Sequence, residues 1–598
     1  MSDYFEQIRN DTYTELKSIS DDEITVLTNP KDANFLESDD YLEVWEVKTG
    51  LYDSVKSVWL VDELTMYIAL GSVFPLEPAK IYYDKNDFEK LGYIPHSSFL
   101  RNDVCVYDEF VIVDESNPTG ILLDQLGKAK KTLIEGLKGD NLEDFEDEFV
   151  AYWNTSGNYK DKLLSESIYS VIDKEPENYN SLSLLTYSIK SSEKDTISAG
   201  ILYNKEEDLI QPYKQYFESL DYSPKEYEVF LVKNEIQLTR PPFSISCFES
   251  LKFIKEENQK NFRNYFNKSS IRILVFGKTI NGEKKYFGWS YPDINSKIKG
   301  FRPSQLTPYN ITFKKGLPGH RKNVKRFSSD SLTEQRLIKR TASEILAPNN
   351  YKFLIAGIGS VGSNLVGLLN NLNNPEFTLI DNDKLSSENI KRHLLGFHYL
   401  NQNKALAVKT YLKHKLPSQK IQISESSMFD FYNHNKQKFN EQDYIFLCLG
   451  KLNLEKWFIK ELSNGNLKKP TFILWVEPYL IGAQLLYFHP DNLANLDDLF
   501  TDVYKYKFSI ISPEEFEKKR DLFTLKESGC QTTYSPYSSA HLSLFLSAAY
   551  IKIVEVIENG DNQSLFYSWV GDIEIAKKLN VNLAIDSYEK YSLIENTL

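Results

Sequence analysis

Three glycines, Gly357, Gly359 and Gly362, stand as GxGxxG between the apolar run FLIA and a helical pattern. Glycine lets the backbone turn sharply there and lets a phosphate approach the amides at the helix N-terminus. Asp381 falls at the end of the next apolar run, FTLIDND, where a carboxylate can bind ribose hydroxyls. GxGxxG alone also fits a plain βα turn followed by an ordinary strand-end acid. Strand, glycines, helix, strand and acid in register point instead to a nucleotide site. Beyond the acid, DNDKLSSENIKRHLLG holds Asp383, Asn389 and Arg392, and Lys404 follows in NQNKALAVKTYL. A nicotinamide enzyme has no need of that cluster. An enzyme that drives a carboxylate onto the α-phosphate of ATP does, because negative charge builds on the phosphates during displacement. Taken singly, Arg392 or Lys404 reads as part of a solvated helix face.

Thiols are the second source of chemistry. The four cysteines, Cys105, Cys247, Cys448 and Cys530, lie far apart with no CxxC pair. That excludes a disulfide scaffold and the usual tetrathiolate zinc site, and leaves individual reactive thiols in a reducing compartment. Cys530 sits in KESGCQTTYSPYSS, a Gly/Ser/Thr-rich stretch before the last apolar helix. Alone it reads as a bystander; beside an adenylating site it would capture an acyl-adenylate as a thioester. Cys448, in YIFLCLG, reads as a core residue, and Cys247 as structural. Cys105 comes nine residues after His96 and is preceded by Phe74-Pro75-Leu76-Glu77-Pro78 and the strand AKIYYD. The prolines predict extended backbone before that strand. His96 reads as a histidine bracing its loop in preference to a general base.

The elements that must position these residues fall into three regions. At 598 residues the chain is too long for one core. Residues 1–160 predict an α+β unit: a polar opening helix, strands in YLEVWEVKTG and SVWLVDELTMYIAL, and a helical tail ending EDFEDEFVAYW. Residues 161–325 predict a second α+β domain, with strands such as YEVFLVKN and IRILVFGK and a basic linker, FKKGLPGHRKNVKR, at its end. Residues 326–598 predict a helix over 331–346 and then alternating strands and helices of a mainly parallel α/β sheet. A formal charge of −14 disfavours nucleic acid and anionic membranes as general partners. The N-terminus shows no basic-then-apolar leader, and HLSLFLSAAYIKIVEVI predicts a buried amphipathic helix and not a membrane span. A soluble, cytoplasmic protein is expected.

GIGSVGSNLV, LIDNDKLSSENIKRHLLG and the lysine-bearing helix together resemble the adenylation domain of ubiquitin-activating-type enzymes, the ThiF/MoeB superfamily. The resemblance covers most of 330–557. It implies that Gly357, Gly359, Gly362, Asp381 and Asp383 hold ATP while Asn389, Arg392 and Lys404 contact its phosphates, with Mg2+ as companion ion. An arginine ahead of the first strand, Arg336 or Arg340, would reach the ATP of a partner subunit. One departure concerns the metal: family members carry a Mg-binding Asp where Gly450-Lys451 stands here, so the metal ligands are unassigned. The family's zinc-binding cysteine pairs are absent as well.

The order of Pro-rich turn, strand, Pro95-His96 and Cys105 resembles ubiquitin-conjugating enzymes. His96-Ser97-Ser98 replaces their His-Pro-Asn, so the oxyanion-stabilising Asn is missing, a departure shared by bacterial conjugating-type domains. The whole order resembles the fused conjugating–activating proteins of type II CBASS anti-phage operons. That resemblance implies a multidomain α/β protein: a ubiquitin-conjugating-like fold, a linker domain and a Rossmann-like ThiF/MoeB domain. It implies a ligase that relays the C-terminal glycine of a CD-NTase or ubiquitin-like protein through Cys530 and Cys105 to a target lysine, and a homodimer formed through the activating domain. A sulfur-carrier-type adenylyltransferase, which would not need Cys105, and a non-catalytic nucleotide-binding scaffold stay open. A nicotinamide oxidoreductase has only the GxGxxG in its favour.

Overall fold

A computed structural model describes residues 2–35, 38–98, 100–108, 111–154, 167–190, 196–233, 244–294, 306–339, 350–494, 496–501, 505–526, 533–585 and 587–597. The chain divides into two compact units, one of residues 1–208 with 224–331 and one of residues 209–223 with 332–598.

The first unit begins with the helix Ser2–Ile19 and an antiparallel sheet in sequential order, β1 (Glu23–Val26), β2 (Glu43–Asp53), β3 (Val58–Leu70), β4 (Lys80–Tyr83) and β5 (Asp103–Val104). Period-two alternation sorts the side chains. Trp45, Val47, Met66 and Ile68 face Leu122, Leu126, Ala129 and Leu133 of the helix Pro118–Lys138. Val44, Tyr67, Ala69 and Tyr82 face Phe35 on the other side. That helix starts where the Asn117 side chain accepts the Gly120 N–H ahead of Pro118, and ends at Gly139 in the left-handed region. Residues 72–77 form turns and not the extended run expected from the prolines, closed by Phe74 N–H to Gly71 O and Leu76 N–H to Val73 O.

The second part of this unit is an eight-stranded mixed sheet. Its strands are β6 (Ser167–Val171), β7 (Leu182–Lys190), β8 (Thr196–Asn204), β9 (Lys225–Glu228), β10 (Phe230–Val232), β11 (Ile273–Ile280), β12 (Glu283–Ser290) and β13 (Lys325–Ser331). They run in the order β10-β11-β12-β13-β6-β8-β7-β9. Leu274 and Phe276 of β11 enter one core, and Ile273 and Val275 enter another across the sheet. The basic stretch expected to be a linker instead ends by entering the sheet. Val324 is buried, and β13 pairs with both β12 and β6. The helix expected over 331–346 begins only at Glu334, after β13, and is described as far as Lys339.

The second unit holds the α/β sheet. Five parallel strands, β14 (Lys352–Ala356), β15 (Glu376–Ile380), β16 (Ile421–Ser424), β17 (Tyr444–Leu447) and β18 (Thr471–Val476), are ordered β16-β15-β14-β17-β18. Three antiparallel strands extend it, β19 (Gly482–Phe488), then β22 (Leu565–Val570) and β23 (Leu593–Asn596). Between them lies a separate hairpin of β20 (Leu525–Lys526) and β21 (Thr533–Tyr534). Among the described residues one helix, Ser539–Asn559, is long and apolar enough to cross a membrane by length and composition. Its Leu542, Phe545, Leu546, Ala549 and Ile553 pack into the sheet's main core, which accounts for the apolar run.

Candidate functional site

The GxGxxG turn lies at the C-terminal end of β14, where parallel α/β sheets bind ligands. Gly357 has φ +86°, and a Cβ there would meet the Cys448 carbonyl oxygen at 2.5 Å. A Cβ on Gly362 would lie 1.9 Å from the Gly357 oxygen, so helix Ser360–Leu369 closes on the turn only without a side chain. Gly359 differs: a Cβ there would meet nothing within 4 Å. Its open side is room for a ligand to approach the backbone.

Asp381 is nine-tenths buried beneath this turn. Its Oδ2 accepts the Ile358 N–H at 2.7 Å and its Oδ1 accepts the Asp383 N–H at 2.8 Å. Burial raises its carboxyl above the ordinary value. His393 supports the turn from the other side. Its Nε2 donates to the Ile358 carbonyl at 2.9 Å while Nδ1 accepts the Leu395 N–H at 3.1 Å. Burial lowers its pKa to about 4, so the ring is neutral, as that pair of bonds requires. Asn403 caps the helix Lys404–Lys415 and donates to the Asp381 carbonyl at 2.8 Å.

Asp383, Asn389, Arg392 and Lys404 line one cavity of about 840 Å³. Lys404 Nζ pairs with Asp383 Oδ2 at 3.1 Å. Arg392 donates from Nη1 to the Ser535 carbonyl at 3.1 Å and sits 4.7 Å over the Tyr537 ring. Asn389 Nδ2 donates to Ser386 Oγ at 2.8 Å. Lys384 and Lys391 add positive charge, Glu388 a carboxylate, and Tyr534, Pro536 and Tyr537 an aromatic and apolar wall. Four cations against two carboxylates make a receptor for a polyanion with an apolar flank. Arg336, on the helix Glu334–Lys339, is not among the cavity's lining residues, and Arg340 lies outside the described residues. Cys530 also lies outside them.

Among the described residues no group of three or more His, Cys, Asp or Glu side chains converges to hold a metal ion. At the end of β17, Gly450 has φ +61°. Glu455, from the following helix Leu452–Ser463, accepts the N–H groups of Leu449 and Gly450 at 3.1 and 3.0 Å. Burial pushes its carboxyl up to about 7. The carboxylate at this strand end is thus a staple on the backbone. Cys448 and Cys247 are both buried, and desolvation raises both thiols, Cys247 to about 12.

Cys105 lies on the exposed rim of the first unit, just past β5. Its N–H donates to the His96 carbonyl at 2.7 Å, and a bridge between Ser97 and Val104 zips the intervening loop. Its Sγ lies 3.8 Å from the Tyr107 carbonyl. Partial desolvation and then the charges of Glu148, Asp103 and Asp108 raise the thiol above its ordinary pKa. His96 has φ +60° and spends both ring nitrogens on carboxylates, Nε2 on Asp144 Oδ2 at 3.0 Å and Nδ1 on Glu148 Oε1 at 2.8 Å. The Glu148 bond above all raises its pKa to about 9. A charged, doubly engaged imidazole has no lone pair to take a proton.

Family comparison bears on both sites. Residues 339–500 match the model of the ThiF family, and residues 38–161 match Prokaryotic E2 family B. The chain joins an E2 family B domain to a ThiF domain. The two matches support an activating and conjugating type of function. No curated protein matches the chain. Among solved structures, PaaA is similar at 14% identity and a TM-score of 0.29 over 40% of this chain and 69% of PaaA. Escherichia coli MccB with MccA-N7isoASN is similar at 16% identity and a TM-score of 0.30, and MccB with ATP at 15% and 0.27. In both of these MccB matches, 40% of this chain covers 64% of MccB. Likenesses this slight carry no argument about what the ThiF domain binds.

Sequence reading missed the partners of the named residues. Asp144, Glu148 and Tyr152 were visible only as an acidic, aromatic tail. Their link to His96 and Ser97 spans 48 to 55 residues. His393 stands directly after Arg392, yet nothing local announces that its ring reaches back to Ile358. Ser535 and Tyr537 lie more than 140 residues from Arg392.

Proposed function

We propose that the chain is an ATP-dependent ubiquitin-like ligase that adenylates a protein C-terminal glycine, relays it through two cysteine thioesters and joins it to a target amine. The observation that carries this reading is the convergence of Asn389, Arg392 and Lys404 on one cavity beside the Asp381-braced glycine turn. The ribose of ATP would meet Asp381, whose oxygens each keep a lone pair. The phosphates would lie over Gly359, among Arg392, Lys404 and Asn389. Mg2+ would enter with the nucleotide and neutralise phosphate charge. The donor's terminal carboxylate attacks the α-phosphorus, the bond to the β-phosphate oxygen breaks, and pyrophosphate leaves. The Cys530 thiolate then attacks the acyl carbon and AMP leaves.

Transfer to Cys105 exchanges one thioester for another, with Cys530 released as thiol. The exchange is near neutral, so the adenylation step supplies the driving force. A lysine amine then attacks the Cys105 thioester, forming the amide and freeing the thiol. Asp103, Asp108 and Glu148 around Cys105 would draw in a lysine ammonium, which loses its proton to solvent before the neutral amine attacks. The donor this reading favours is a CD-NTase with a C-terminal glycine, in antiviral defence in the cytoplasm, with the ThiF domain forming a homodimer. Arg336 would then serve the partner's nucleotide.

The test incubates the purified protein with MgATP and glycine-ended candidates, followed by non-reducing gels and intact mass. Cys530→Ala should lose every thiol-sensitive adduct. Cys105→Ala should keep one adduct and make no conjugate. If neither substitution alters the adducts of a partner that is demonstrably modified, the relay is wrong.

A further inference from the structure

The short helices Asp144–Asp147 and Phe149–Asn154 touch two structures at once. One side faces the Cys105 loop. Asp144 and Glu148 hold the two ring nitrogens of His96, Glu148 Oε2 accepts the His96 N–H at 3.1 Å, and Tyr152 Oη accepts the Ser97 N–H at 3.3 Å. Phe145 and Tyr152 pack with Tyr93, three residues before His96, at ring distances of 5.1 to 5.4 Å. The other side is built into the eight-stranded sheet. Phe149 and Trp153, one helical turn apart, are fully buried in its core, and Trp153 Nε1 donates to the Phe327 carbonyl of β13 at 2.8 Å. Lys278 of β11 pairs with Glu146 at 2.9 Å and lies 5.0 Å over the Phe149 ring.

His96 is where this double attachment meets the thiol. Its backbone is left-handed, a conformation that costs about 1 kcal/mol or more for a non-glycine residue and needs support from its surroundings. Its carbonyl accepts the Cys105 N–H. A displacement of the 144–154 segment therefore moves His96 through three hydrogen bonds and Cys105 through a fourth. A purely local brace would not require Phe149 and Trp153 to be sunk in a different core.

We propose that segment 144–154 is a tie through which the eight-stranded sheet sets the position of Cys105, with His96 as the positioning residue at its end. The inference rests on Cys105 being an acyl acceptor, and adds that the packing of the sheet is felt at the thiol. His96 serves as a pin between two carboxylates and a backbone amide, and its replacement changes where the sulfur sits without removing a proton acceptor.

The experiment uses the full chain and two readouts independent of the reaction: hydrogen–deuterium exchange of the Cys105 amide, and the alkylation rate of Cys105 resolved by peptide mass. The sheet-side variants are Trp153→Phe, which removes the Nε1 donor together with part of the buried indole, and Lys278→Met, which removes the charge paired with Glu146. The loop-side variants are His96→Asn, which tolerates the left-handed backbone, and Glu148→Gln. All four are expected to speed Cys105 amide exchange in the same direction, by about fivefold, the change in local opening that follows loss of one hydrogen bond. The alkylation rate should change along with it. Loop-side effects with no sheet-side effect would overturn the tie, and an unchanged His96→Asn would overturn the pin. Where exchange responds as expected but Cys105→Ala still conjugates at the wild-type rate, the acceptor reading fails while the tie stands.

Discussion

The two sites differ in charge and in how each is held together. The cavity of the ThiF domain gathers Lys384, Lys391, Arg392 and Lys404 against Asp383 and Glu388, whereas Cys105 is ringed by Asp103, Asp108 and Glu148. The first favours a bound polyanion. The second disfavours a thiolate, raising the thiol's pKa where a self-activated nucleophile would lower it. In the proposed relay, Cys105 would accordingly receive an acyl group already activated elsewhere and present it to an amine. The sites also differ in support. The glycine turn is fixed by contacts a Cβ would destroy, and the Cys105 loop by charged side chains arriving from a distant segment.

The largest expected effect tests the turn. Gly362→Ala forces main chain apart at 1.9 Å and should lower ATP–pyrophosphate exchange on the order of 10²-fold, with a lower melting temperature. Gly359→Ala has open space and should leave the melting temperature unchanged while losing exchange by about tenfold or more, because its methyl occupies the ligand's side. Wild-type exchange by Gly359→Ala would mean that the turn cradles no phosphate.

A smaller effect sharpens the contrast in charge. Removing a negative neighbour lowers the thiol pKa and raises the thiolate fraction. Asp103→Asn or Asp108→Asn should accordingly speed Cys105 alkylation at pH 8 by about threefold, less at high salt. A slower rate would contradict the acidic rim.

The smallest effect concerns stability. The pKa of His96 is raised in the folded state to about 9 from 6.5, so its contribution is complete below about pH 6.5 and lost as pH rises through about 9. The ring is partly solvent-exposed, and screening keeps the effect small. His96→Asn should lower the first melting transition by about 1–2 °C at pH 6 and by less at pH 10. An equal loss at both values would show that the imidazolium contributes nothing beyond its shape.

Much of the ThiF domain was legible because its signals are local. FLIA, FTLIDND, YIFLCLG and PTFILWVEP became parallel strands β14, β15, β17 and β18. The central region was harder to read. Its basic, Gly/Pro-punctuated stretch looked like a linker because β13, KRFSSDS, holds a single apolar residue, Phe327, and only pairing with β12 and β6 made it a strand. The prolines around Pro75 suggested extended chain, yet a fixed proline φ suits a turn equally well, and the carbonyls of Gly71 and Val73 decided the matter.

By itself the sequence determined what a backbone can and cannot do at each position. GxGxxG between the run FLIA and a helical pattern marks a tight strand-to-helix turn, and Asp381 is the acid that ends the next apolar run. Backbone sterics and period-two burial act over a few residues, so they can be read without a fold. The tertiary structure alone decided the electrostatics. It paired Lys404 with Asp383, laid Arg392 on Tyr537 and Ser535, and turned His96 from a possible base into a cation between Asp144 and Glu148. A side chain's protonation state follows from which charges and amides the folded chain brings within a few ångströms, and those come from far along the sequence.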